Sequence, residues 1–245
     1  MNLEKNNNWL NAGLFLALGL VISSTILGWS YTSKKSGDES VTVTGSARKR
    51  IKSDLVVWRA GFSSQSVKLA DAYSQLSANV PRIKQYLMSK GIAENQMTVS
   101  AIASTTLHPR DTNGNETSEI TGYSLQQEIE VRSNDVDRIA QIAREATELI
   151  NQGILLESSP PKYFYTALGD LKVEMLGEAA KDAKTRAEKI AASTGNKIGS
   201  LRSAKMGVMQ ITGADSQDVS DSGISDTASI DKDVTAVVNI SFAVE

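Results

Sequence analysis

Apolar positions fall into three regimes along the chain. Trp9 to Trp29, WLNAGLFLALGLVISSTILGW, is a near-continuous apolar run with no polar face. As an α-helix rising about 1.5 Å per residue it would extend roughly 30 Å, the hydrocarbon thickness of a bilayer. Tryptophan at both ends, with Tyr31, Lys34 and Lys35 beyond, suits rings at headgroup level and ammonium groups reaching water. Residues 1–33 are therefore expected to be a retained single-pass anchor carried by Trp9, Leu14, Leu18, Ile22 and Trp29. A secretory signal usually has a shorter apolar stretch, a basic start and a small-x-small cleavage site. Here Lys5 is offset by Glu4, and cleavage after Ser30 would leave bulky Trp29 before the cut and Tyr31 after it. Cleavage and release from the membrane is the alternative. Lys5 against Lys34 and Lys35 does not set the orientation, because large domains are translocated largely regardless of such charge.

A polar linker, KKSGDES (34–40), leads into a region of period-two and helical patterns over 41–245. VTVTGSA (41–47) and DLVVWRAGFSSQ (54–65) alternate as strands, with Val56, Trp58, Ala60 and Phe62 on one face and the basic RKRIKS read as the turn between them. Residues 66–91 change to helical spacing, with Val67, Ala70, Leu76, Val80, Ile83 and Leu87 as the stripe and Gly91 at the C′ position. Pro81 inside it predicts a kink or two abutting helices near Asn79. Residues 96–107 and 121–132 read as a long hairpin, the second strand showing Ser124, Gln126, Glu128, Glu130 and Arg132 to water. A second helix over 133–153 opens with Ser133 or Asn134 as cap and buries Val136, Ile139, Ala143, Ala146 and Ile150. Pro160 and Pro161 confine 154–167 to a sheet edge. The longest helix of this region, 168–195, carries Leu171, Met175, Ala179, Ala183, Ala187 and Ile190, an alanine-rich seam that implies close approach to a neighbour or, for the outer alanines, simple helix propensity. Residues 197–212 and 232–245 are the last strands, and the acidic, Ser/Gly-rich 213–231 between them is expected to be a mobile loop. The order predicts an α+β fold of antiparallel strands with about three helices, behind one N-terminal transmembrane helix.

Several of these stretches resemble one family. VTVTGSARKRIKSDLVVW, LMSKGIAENQMTVSA, ITGYSLQQEIEV followed by DVDRIAQI, and EAAKDAKTRAEKIAASTGNKIGSL are similar to the SIMPL domain, also called DUF541, in that order. PKYFYTALGDLKVEML is similar to the branch found behind an N-terminal membrane segment in Gram-negative bacteria. The resemblance covers roughly 41–245. It implies the family's α+β fold, a domain outside the cytoplasmic membrane, large homo-oligomers that are ring- or channel-like in at least one relative, and a link to oxidative-stress tolerance. It supplies no catalytic residues. Pro81 and the length of the acidic loop depart from the pattern.

Composition narrows the chemistry. Lys plus Arg total 26 against 28 for Asp plus Glu, a net charge of −2, which gives no electrostatic reason to expect nucleic acid. With no cysteine there is no disulfide, thiolate metal site or cysteine nucleophile. The single histidine, His108, precedes Pro109 in a polar loop without ligand partners, and no G-x-S-x-G elbow or P-loop is present. No catalytic residue, cofactor or metal site is expected. Glu128 and Glu130 suit a solvated strand face better than a glycosidase pair. Asp215, Asp218, Asp221 and Asp226 lack the alternation and closing Glu of an EF-hand. Arg48, Lys49, Arg50 and Lys52 are candidate lipid-headgroup contacts or a solvated turn. The anchor and the missing catalytic set, with the envelope location and self-assembly that the resemblance implies, favour a non-enzymatic, self-assembling envelope protein of the inner membrane with its domain in the periplasm. The alternatives are a periplasmic ligand- or ion-binding module using the 213–231 loop, and a carboxylate-only hydrolase.

Overall fold

A computed structural model describes residues 8–35 and 39–245, and in the first range it describes the side chains of residues 13–28. Asn8–Lys35 is a 28-residue helix, α1. Leu14, Leu18 and Ile22 are exposed along it, while the side chains of Trp9 and Trp29 lie outside the described residues. Among the described residues no helix is long and apolar enough to cross a membrane. Residues 13–28 alone measure about 24 Å against roughly 30 Å of hydrocarbon.

The architecture is α+β, built on two sheets. β1 (Ser40–Lys52) and β2 (Leu55–Ser66) are each about a dozen residues long, and the basic segment expected as a turn is strand. Period-two alternation continues through the charges to buried Ile51, so the chain reverses only at Ser53 and Asp54. Their N–H groups donate to the carbonyls of Ile230 and Phe164 at 2.8 and 3.0 Å. β1 and β2 then enter different sheets. The six-stranded sheet has the order β3 (Met97–Val99), β5 (Gly122–Ser133), β2, β6 (Leu155–Ser158); β4 (Ala103–Leu107) also pairs with β5, and β7 (Lys162–Phe164) with β2. The four-stranded sheet has the order β1, β10 (Asp231–Val244), β8 (Ile198–Met206), with β9 (Gln210–Gly213) also on β10. Three expected strands are thus each split in two, at residues 100–102, 159–161 and 207–209. The middle break is where two consecutive prolines remove ladder donors.

The chain forms two compact units, neither contiguous in sequence. One comprises Arg48–Met175 and Val208–Ala236. Its core is the inner face of the six-stranded sheet, where Val56, Trp58, Ala60 and Phe62 are at most 1 % exposed. The helices α2 (Leu69–Ser89), α3 (Val136–Glu145) and α4 (Glu148–Asn151) belong to this unit, with Leu76, Ile83, Leu87, Ile139 and Leu149 in the same core. α2 is one helix with Pro81 inside it, not two. The proline is exposed, so its ring meets water, and the buried residues on either side carry the helix past the missing N–H. The buried face begins at Ala72, leaving Val67 and Ala70 exposed. The second helix caps on Asp135, whose carboxylate accepts from the Arg138 N–H, in place of Ser133 or Asn134. It breaks before α4, and the change of phase buries Leu149 where Ile150 was expected.

The other unit comprises Met1–Ala47, Leu176–Gly207 and Val237–Glu245, and holds most of α5 (Leu168–Ser193). Ala179, Ala183 and Ala187 are wholly buried, and the seam ends on Ala191 with Ile190 exposed. Gly195 (φ +81°) closes the helix in the left-handed region that favours glycine.

Candidate functional site

Alternation decides what the six-stranded sheet shows to solvent. Because Val56, Trp58, Ala60 and Phe62 are committed to the core, Val57, Arg59 and Gly61 point the other way. The β2–β5 register sets Val57 opposite Arg132, Arg59 opposite Glu130 and Gly61 opposite Glu128. β7 adds Phe164 opposite Leu55 and Lys162 opposite Val57. Together they line an open groove of about 560 Å³ whose apolar lining is Leu55, Val57, Pro160 and Phe164. Arg59 lies at its centre, with Nη2 2.7 Å from Glu130 Oε2 and Nε 3.5 Å from Glu128 Oε1. Its bond to Glu130 holds the guanidinium above its usual pKa range. A hydrolytic pair needs one carboxyl in an apolar or anionic setting. Here both glutamates are counter-ions of one arginine.

The four cations of the basic stretch each lie on a carboxylate. Arg48 Nη2 is 2.6 Å from Asp233 Oδ2. Arg50 donates to both oxygens of Asp233 at 3.0 Å and also pairs with Asp215. Lys49 meets Glu174 at 2.6 Å and Lys52 meets Asp137 at 2.8 Å. Asp233 is the centre of this network: its side chain is 3 % exposed, and Arg50, the Asp215 N–H and Arg48 drive its pKa far below the usual carboxylate range. The patch is locally compensated, with each cation about half exposed.

The remaining candidates are dispersed. His108 uses both ring nitrogens inside its hairpin, at 2.9 Å from Glu119 O and from Thr106 Oγ1. In the 213–231 loop, Asp215 serves Arg50, Asp218 accepts from the Ser216 hydroxyl at 2.8 Å, and Asp226 is held by Lys232. The loop also ties back to β9, the Ile211 N–H donating to Ile224 O at 2.8 Å and the Asp226 N–H to Ile211 O at 2.9 Å. Among the described residues no group of three or more His, Asp or Glu is arranged to hold a metal ion.

Sequence reading placed Glu128 and Glu130 on the wet face correctly and missed Arg59, Lys162 and Phe164 beside them. Alternation from buried Trp58 already turns Arg59 outward. The meeting with β7 depends on pairing across about a hundred residues, which no local pattern carries. Lys232 and Asp233, both 2 % exposed, were also missed, because two adjacent charges at the start of a strand read as a solvated end.

The family model described as SIMPL, protein of unknown function (DUF541), matches residues 41–242. No curated protein matches the chain.

Proposed function

The chain belongs to the SIMPL (DUF541) family, and we propose on that footing that it is a non-enzymatic envelope protein of the membrane-anchored Gram-negative branch, tethered by α1 and working through self-association of its folded region. The observation that carries this reading is the open face of the six-stranded sheet, whose central charges neutralise one another instead of forming an acid–base pair. Support for the tether comes from the Trp9–Trp29 run and from the 28-residue helix that contains it, which at 1.5 Å per residue extends about 42 Å. Leu14, Leu18 and Ile22 offer lipid an exposed apolar surface.

Membrane fractionation tests the reading. The full chain should sediment with the inner membrane through an alkaline wash, keep its Met1-containing peptide by mass spectrometry, and give dimers or larger species on cross-linking at membrane density. A chain that begins near Tyr31 and washes free removes the tether from the proposal. A chain that stays monomeric on cross-linking removes self-association.

A further inference from the structure

The order of side chains on the open face of the six-stranded sheet inverts in charge about Arg59. Counting along β2, the position four residues before Arg59 pairs Leu55 with Phe164, and the position two before pairs Val57 with Lys162 and with Arg132. Two residues after Arg59, Gly61 pairs with Glu157 and with Glu128, and four after, Ser63 pairs with Leu155. Along the β6–β7 column the face therefore runs apolar, cation, the exposed Ser159–Pro160 break beside Arg59, anion, apolar. Along β5 it runs cation, then Glu130, bound to Arg59 at 2.7 Å, then Glu128, in a longer 3.5 Å contact with Arg59. Lys162, Arg132 and Glu157 engage no side-chain ion pair among the described residues. Leu155 is 61 % and Phe164 37 % exposed. Unpaired charges of opposite sign, flanked by exposed apolar groups at equal distances from one centre, are what a self-complementary surface requires.

We propose that this face binds a second copy of the chain, sheet on sheet, about a two-fold axis that lies in the interface, crosses the strands and passes over Arg59. The inference rests on the self-association proposed above and names its surface. That axis keeps each strand over its own copy and reverses its direction. Arg132 then faces Glu128 of the second copy, Lys162 faces Glu157, Phe164 faces Leu155, and Val57 meets the space left by Gly61. The other two-fold that brings the faces together runs along the strands, and it would set cation on cation and anion on anion. Charge therefore selects one arrangement and rejects the other. Arg59 stands near its own mate, but each guanidinium already carries Glu130 as counter-ion.

The matched area, eight residue steps by three strands, is about 27 by 14 Å, a small footprint for a stable complex in solution. Tethering both copies to one membrane raises their effective concentration, so the contact belongs to the anchored chain.

The chain has no cysteine, so Thr98→Cys places a single thiol on the row of Arg59, because Thr98 and Arg59 both pair with Glu130. In the full chain in membranes this thiol should join to its mate through a short bismaleimide, given sheets about 10 Å apart. An all-cationic face (Glu128→Lys with Glu157→Lys) and an all-anionic face (Arg132→Glu with Lys162→Glu) should each lose the adduct at least tenfold. Mixing the two, distinguished by mass, should restore it as the heterodimer. Exchange within one chain, Lys162→Glu with Glu157→Lys, should leave it intact and shows that the effect is not a folding defect. If amine cross-linking finds oligomers but the Thr98→Cys adduct is absent, or is indifferent to these charges, this surface is wrong and self-association stands. If loss occurs without restoration on mixing, the register is wrong. If every cross-linker finds only monomer, both proposals fail.

Discussion

Gly45 lies against the backbone of Ala179 with no space for a β-carbon: one built there would overlap the Ala179 carbonyl and the Ala183 nitrogen. The alanine seam of α5 is therefore a packing requirement, and helix propensity alone does not account for it. Gly45→Ala should destabilise the protein by about 2 kcal/mol through overpacking, whereas Gly177→Ala, where a β-carbon meets nothing within 4 Å, should not. Thermal unfolding followed by circular dichroism separates the two.

Asp233 supplies a pH dependence of known sign. Its folded pKa lies below the ordinary value of 3.8, so its contribution is fully present above that value and is lost as pH falls through and below it. Asp233→Asn should cost about 2 kcal/mol at pH 7, the scale of hydrogen bonds to a charged partner. Urea denaturation of both proteins should show the difference narrowing progressively below about pH 4.

Lys232 is 2 % exposed, and its Nζ donates to Asp226 O at 2.8 Å and to Asp226 Oδ2 at 3.1 Å. Removing the carboxylate strands a buried ammonium; removing the ammonium leaves a carboxylate that still accepts from the N–H groups of Ala228 and Ser229. Asp226→Ala should therefore cost about 3 kcal/mol, and Lys232→Met distinctly less. Equal costs, measured by urea denaturation, would contradict this account of the pair.

Pro81 gives a prediction in the opposite direction. It is exposed within a continuous helix, so Pro81→Ala restores a helical N–H. The change should stabilise by about 1–2 kcal/mol, part of the ~3 kcal/mol helix-interior penalty of proline being offset by the freer unfolded chain. A lower melting temperature would show that the ring has a packing role.

Where burial follows a strict local period, the sequence reads correctly. Val56 to Phe62 on β2 alternate as expected because that strand has one face in a core. The errors fall where a distant partner decides. RKRIK continues as strand because β10 lies beside it and Asp233 and Asp215 accept its charges. The helix over 133–153 breaks after Glu145, and the phase change puts Leu149 in the core. In the groove, Glu128 and Glu130 were legible as a wet face, while their convergence on Arg59 and its proximity to Lys162 depend on strands remote in sequence.

The strand order β1-β10-β8 also governs when that sheet can exist. β10 stands between the other two, so β1, among the first segments of the folded region to leave the ribosome, has no place to pair until Asp231–Val244 follows. At ordinary translation rates that interval is on the order of ten to forty seconds. Throughout it β1, and near its end β8 as well, presents an unpaired edge, the kind of surface that invites mispairing between nascent chains. The unit holding Ala179 and Gly45 can therefore assemble only late in synthesis, and its yield in cells should depend on whatever shields those edges meanwhile.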